Sequence, residues 1–210
     1  MDKMNASSRF FFVFLGVIFF LGGAMAEEPK YKVVRKSGDF EIRIYEPYIV
    51  AETVVDTGDV DAASSEGFRR LGGYIFGGNQ SKQKMDMTAP VTSQRSEKIA
   101  MTAPVTSAKR GTSTIITFMM PSSYTLETLP VPSDKRVILR EVPARKFATL
   151  SFSGRWTDEN FSQHTKELED WIKKERLEIV GEPILARYNA PFVPSFLRRN
   201  EILIELKQTD

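Results

Sequence analysis

YIVAETVVDTGDVDAASSEGFRRLGGYIFGG, residues 48–78, carries two periodicities in succession. Residues 48–56 form a short run rich in Val, Ile and Tyr, the composition of a strand. From Asp59 to Gly77 the period lengthens. Ala62, Phe68, Leu71 and Ile75 recur at helical spacings, Asp59 or Asp61 is placed to cap the start, and Gly77, Gly78 and Asn79 supply a left-handed stop. The stretch predicts a strand running into an amphipathic helix, with Arg69 and Arg70 flanking the apolar stripe. Gly72 and Gly73 lie inside that helix at a cost of about 1 kcal/mol each relative to Ala. They mark either a close approach by another backbone or a flat ligand, or fraying near the C-terminus.

The same succession returns downstream. Residues 146–152 read as a strand, and residues 158–176 as a second helix capped by Thr157 or Asp158, with Phe161, Leu168, Trp171 and Ile172 on its apolar face. Residues 183–189 and 201–207 are two further strands. In the first half the helix is followed by a tandem repeat, KMDMTAPVTS at residues 84–93 and KIAMTAPVTS at 98–107, and then by a strand at 114–120. The copies stop at two, so this is a local duplication and not a solenoid. Strand, helix, strand, strand thus occurs twice, which predicts an internal pseudo-twofold.

Upstream, residues 31–35 and 40–45 are joined by Ser37, Gly38 and Asp39 and predict a hairpin. In Phe40-Glu41-Ile42-Arg43-Ile44 apolar and charged residues alternate, so one face is expected to be buried and the other wet. Residues 136–142 and 146–152 predict a second hairpin through Pro143 and Ala144. The expected architecture is α+β: a distorted antiparallel β-barrel of about eight strands flanked by two α-helices, with a ligand groove along the pseudo-axis.

Residues 1–26 read as a secretory signal, to be set aside before fold reasoning. Lys3 and Arg9 start it, residues 10–21 form an apolar run broken only by Gly16, and Ala24-Met25-Ala26 is a small-x-small cleavage pattern. The run is shorter than the roughly 20 residues that span a bilayer. A single domain over residues 27–210 is expected, exported to a periplasm if bacterial and otherwise to the secretory pathway or the extracellular space, with no stable membrane anchor after cleavage. Cysteine is absent, which excludes disulfides, thiolate metal sites, a Cys nucleophile and a lipid-attachment Cys. Without Lys3, Arg9 and Asp2 the chain has 27 basic and 26 acidic residues, interleaved throughout, which argues against nucleic acid as a partner.

No catalytic constellation stands out. His164 is the only histidine and falls at the edge of the second helix's apolar face, without the partner ligands or orienting groups of a metal or triad site. The paired glycines fit neither phosphate-loop spacing. Met85, Met87, Met101, Met119 and Met120 cluster in the central third, suited to packing a core or a flat apolar molecule. Tyr74, Phe76, Tyr188 and Phe192 are equally compatible with core or pocket wall.

Taken in order, several motifs resemble the SOUL haem-binding protein family: FEIRIYEP at 40–47, GFRRL at 67–71 leading to YIFGGN at 74–79, KIAMTAPV at 98–105, FMMP at 118–121, FSG at 152–154 and RRNEI at 198–202. The resemblance covers essentially the whole chain after residue 26. It implies a distorted antiparallel barrel with two helices, akin to the effector-binding domains of some bacterial regulators, and noncovalent binding of haem or another tetrapyrrole without an established reaction. The duplicated MTAPVTS departs from the single copy usual in the family and implies a strand extension or longer loop beside the groove. On the family's first-helix pattern, Arg69 or Arg70 would pair with propionates while Phe68, Leu71, Tyr188 and Phe192 contact the ring; no metal-ligating residue is assigned. The leading expectation is an exported, non-enzymatic tetrapyrrole carrier or scavenger. The alternative is a small-molecule effector or partner-binding module of the same fold without physiological haem binding.

Overall fold

A computed structural model describes residues 26–82 and 96–208. Most of the expected signal segment and the first copy of the repeat, with Met85 and Met87, lie outside those residues. One antiparallel sheet of nine strands dominates, with two helices on one face. The strands and helices are β1 (Tyr31–Ser37), β2 (Phe40–Tyr45), β3 (Tyr48–Val55), α1 (Val60–Ile75), β4 (Asn79–Gln80), β5 (Val105–Arg110), β6 (Ser113–Met119), β7 (Val131–Pro132), β8 (Ile138–Val142), β9 (Arg145–Phe152), α2 (Asp158–Lys174), β10 (Ile184–Arg187) and β11 (Asn200–Glu205). The sheet order is β1-β2-β9-β11-β10-β5-β6-β3-β8, and β4 with β7 forms a separate ribbon. The expected count of about eight strands thus becomes nine in the main sheet.

The pseudo-twofold is explicit in this order. The units β3-α1-β5-β6 and β9-α2-β10-β11 meet at the antiparallel pair of β5 and β10, where Leu185 faces Ser107 and Arg187 faces Val105. The second copy of the repeat supplies the start of β5. Two strands then cross over: β2, which forms the expected hairpin with β1, also hydrogen-bonds β9 of the second unit, and β8 hydrogen-bonds β3 of the first. The second hairpin expected from residues 136–142 and 146–152 therefore does not form. Tyr45 of β2 and Val142 of β8, from opposite ends of the sheet order, line a common cavity of about 270 Å³, so the sheet curls around that inner face as a half-barrel.

Both helices start where expected. The Asp59 carboxylate accepts from the backbone N–H groups of Asp61 and Ala62 at 3.0 and 3.1 Å, and the Thr157 hydroxyl accepts from Asn160 N–H at 3.3 Å. Helix α1 stops at Gly77, whose φ of 118° suits glycine, with Gly78 N–H donating to the Gly73 carbonyl at 2.7 Å. The buried face of α2 is Phe161, Leu168, Trp171 and Ile172, as the periodicity predicts.

On α1 the expected stripe is partly corrected. Its buried face is Val60, Ala63, Gly67, Leu71, Gly72, Tyr74 and Ile75, while Ala62 and Phe68 are exposed. The reason is Gly67: a Cβ there would lie 2.5 Å from Ile116 Cγ1, so the helix descends onto β6 at that residue. The close approach sought at Gly72 and Gly73 lies at Gly67. A Cβ at Gly73 would meet nothing within 4 Å, and one at Gly72 would meet only the rings of Phe68 and Phe76 at ordinary contact distance.

The alternation in β2 is corrected as well. Arg43, expected on a wet face, is buried, and Ile44 is exposed. Arg43 points to the inner face, where Glu201 receives it. The apolar cores follow the same division. One packs α2 on β9, β10 and β11, a second packs α1 on β3 and β6, and a smaller one around Tyr45, Phe147 and Leu203 fills the inner face.

Candidate ligand groove on the helix face

At the pseudo-axis β5 and β10 form the floor between α1 and α2. There a cavity of about 410 Å³ is lined by Val60 from α1, Ser107 from β5, Leu185 from β10, and Phe161, Ser162 and Thr165 from α2. This is within the ~300–1,000 Å³ typical of small-molecule sites. The inner-face cavity of about 270 Å³ falls below that range.

Side chains alternate along a strand, so Arg187 shares the helix face of β10 with Leu185, and Val105 shares that of β5 with Ser107. The Arg187 side chain is 12% exposed. Its guanidinium carbon lies 5.2 Å from the Trp156 ring centroid and 5.5 Å from that of Phe161. Among the described residues, Nε and Nη2 are buried without a hydrogen-bond acceptor. The nearest carboxylate, Asp61, stands 4.0 Å from Nη2, beyond hydrogen-bond reach. Burial lowers the pKa of this guanidinium, opposed by the charges of Asp61 and Asp158.

Beyond Val105 the next strand places Phe118, which packs edge-on against Phe68 of α1 at 5.4 Å between centroids. Phe68 and Gly72 are four residues apart on the helix, with Phe76 at its C-cap. They form an apolar strip in which both rings are partly in solvent, Phe68 at 42% and Phe76 at 58% exposure. The loop between β10 and β11 adds Phe192, Phe196 and Leu197, all well exposed. Arg198 steadies that loop by donating to the carbonyls of Pro191 and Val193 and lying 4.2 Å over the Trp156 ring.

The six residues assigned from sequence are distributed as follows. Phe68, Arg69 and Phe192 present themselves to solvent; Arg69 is paired with Glu66 on its own helix. Arg70 is turned the other way, donating to Glu66 at 2.6 Å, to the Val54 carbonyl at 2.9 Å and to the Thr53 hydroxyl at 3.3 Å. The Leu71 side chain is wholly inside the core under α1. Tyr188 lies on the inner face, its hydroxyl donating to the Glu201 carboxylate at 2.7 Å. The structure therefore groups Phe68 with Phe76 and Phe118, and groups Tyr188 with Arg43 and Glu201.

That inner-face cluster is saturated. The fully buried Glu201 carboxylate accepts from Arg43 at 2.8 and 3.1 Å, Ser151 at 2.9 Å, Tyr188 at 2.7 Å and Arg199 at 3.1 Å. Burial alone would raise the Glu201 pKa, but the hydrogen bonds and charge of Arg43 outweigh it and hold the carboxyl below its ordinary value. Burial pushes the Tyr188 hydroxyl up, so it remains a donor.

His164 sits on α2 as a boundary residue. Its ring lies 4.1 Å from that of Phe152, and Nδ1 is 2.9 Å from the Glu167 carboxylate. Among the described residues no group of three or more His, Cys, Asp or Glu could hold a metal ion, and no helix is long and apolar enough to cross a membrane. Sequence reasoning missed Arg187 and Trp156. The parity of β10 held the signal, since an arginine two residues from a buried leucine in a central strand shares its buried face.

The family model described as SOUL heme-binding protein matches residues 26–205. Heme-binding protein 2 of Mus musculus is 29% identical over 158 residues, covering 74% of this chain and 72% of that protein. Heme-binding protein 1 of Xenopus tropicalis is 26% identical over 163 residues, covering 78% and 81%. Among solved structures, the EcmrR C-terminal domain superposes with a TM-score of 0.60 at 10% identity, over 85% of this chain and 99% of that one, a likeness of fold alone.

Proposed function

Because the chain belongs to the SOUL heme-binding protein family, we propose that it binds haem or a related tetrapyrrole noncovalently in the helix-face groove, as an exported carrier or scavenger and not as an enzyme. The observation that carries the reading is exposed aromatic surface on α1 and on the loop before β11, on a face that also holds Arg187, two of whose buried nitrogens have no acceptor among the described residues. The ring would lie against Phe68 and Phe76, where Gly73 leaves open space, with Phe192 on the loop as a second wall and Arg69 at the solvent edge. Whatever redox or ligand chemistry the iron carries is the cofactor's own. This chain's residues hold an apolar plane and acidic groups.

No histidine is offered to an iron, because His164 is engaged with Glu167 and Phe152 on α2. That same fact favours the second reading, an effector or partner-binding module of this fold without haem. A haemin titration followed in the Soret region separates the two. Saturable binding with one equivalent is the expected result, and His164→Ala is expected to leave the band position unchanged and the affinity within about threefold, roughly 0.65 kcal/mol. Absence of saturable binding would discard the haem reading in favour of the module. Export rests on the pattern of residues 1–26, and N-terminal sequencing of the exported protein is expected to begin at or near Glu27.

A further inference from the structure

The geometry points to Arg187 as the receptor for a carboxylate of the bound ligand, which under the haem reading is a propionate. A buried N–H left without an acceptor has lost its hydration for nothing, the more so when charged, so such groups are scarce in folded proteins. Arg187 has two such nitrogens, Nε and Nη2. They form one edge of the planar guanidinium, the edge that meets a carboxylate in a two-bond fork. The rings of Trp156 and Phe161 hold the plane in position without consuming a donor.

The charges around Arg187 come from both helices. Asp61 at the start of α1 and Asp158 at the start of α2 are the acids that act on it. Asp61 stops at 4.0 Å and its side chain is 75% exposed, so it balances the cation without occupying the donor edge. Phe161 and Asp158 also line the 410 Å³ cavity, which places Arg187 beside space already open. An incoming carboxylate reaches the edge by a small displacement of the Phe161 or Trp156 ring, and it exchanges bulk water for two charge-assisted bonds.

This inference rests on the haem reading, and the test keeps the two apart by using haemin and haemin dimethyl ester, whose acids are masked, on the purified full-length chain. Arg187→Met is expected to weaken haemin about tenfold and to leave the diester unchanged, since tenfold corresponds to about 1.4 kcal/mol. The same substitution is expected to raise the thermal midpoint of the ligand-free protein, because it removes an unsatisfied buried charge while keeping an apolar chain of similar length. Equal losses for the two ligands, no loss at all, or a lowered midpoint with unchanged discrimination would overturn the assignment. Asp61→Asn, at an exposed position, is expected to tighten haemin by about threefold and not the diester, following the removal of one competing charge; weaker haemin binding would count against it. If the unsubstituted chain binds neither ligand, the haem reading falls and the propionate role with it. If it binds both and Arg187→Met still distinguishes haemin from the diester as the unsubstituted chain does, the haem reading stands and the receptor lies elsewhere.

Discussion

Arg43 on β2 and Arg187 on β10 both project from the sheet into the protein, on opposite faces, and among the described residues every nitrogen of Arg43 has an acceptor while Nε and Nη2 of Arg187 have none. Arg43 donates to Glu41 and twice to Glu201, and its guanidinium lies 4.4 Å from the Tyr31 ring centroid. Arg187 has aromatic neighbours of the same kind and no acceptor for two of its nitrogens. The inner face therefore uses buried charge as a fastening between β2, β9 and β11. The helix face leaves buried charge available. A fold holds a buried guanidinium with two unsatisfied nitrogens against its desolvation cost only if stability elsewhere offsets it, and the Arg43–Glu201 cluster with three apolar cores supplies that stability.

The largest effect should come from the saturated side. Glu201→Ala leaves Arg43 and Arg199 buried or half-buried without their shared acceptor, and is expected to lower unfolding free energy by about 3–5 kcal/mol in urea titration. A loss under about 1 kcal/mol would erase the distinction drawn between the faces.

Next in size is a steric test of how α1 meets the sheet. Gly67→Ala inserts a methyl 2.5 Å from Ile116 and is expected to cost about 1–3 kcal/mol net. Gly73→Ala, on the same helix but facing open space, is expected to stabilise by up to about 1 kcal/mol. Equal effects at the two glycines would mean that α1 is not seated at Gly67.

Acid sharpens the comparison without changing a residue. The Glu201 carboxyl is held below its ordinary value of 4.5 in the folded protein. Its contribution is therefore complete above the ordinary glutamate range and is lost as pH falls from there through the lowered folded value. Thermal midpoints measured from neutral to acid pH should fall in that window, and Glu201→Gln should flatten the fall. The smallest effect is expected at His164→Ala, whose hydrogen bond with Glu167 is at the surface and worth at most about 1 kcal/mol. A larger loss of midpoint would place His164 in the core of α2 and not at its edge.

Much of the fold was legible because its signals are local. Asp59, Thr157 and Gly77 punctuate helices through their own chemistry, and the pattern of strand, helix, strand, strand survives in three dimensions as the palindrome around β5 and β10. The candidate site was less legible because its members are neighbours only through sheet pairing. Arg187 meets Val105 across a register that residues eighty apart do not announce, and Tyr188, one residue on, faces the opposite side for the same reason. Arg43 misled for a related reason: alternation says which residues share a face, but Glu201, more than a hundred residues away, decides that the charged face is buried.

The crossing of β2 and β8 between the two units has a consequence for how the molecule holds together. Each unit's outer strand, β3 or β9, is closed by a strand that arrives with the other unit, in the manner of a domain-swapped dimer fused into one chain. A cut in the connection between β6 and β8 would sever the covalent link and leave two fragments still laced through β2 on β9, β8 on β3 and β5 on β10. The groove runs along that seam. A ligand resting there touches both fragments, and so would act as a clasp that draws the nicked halves together.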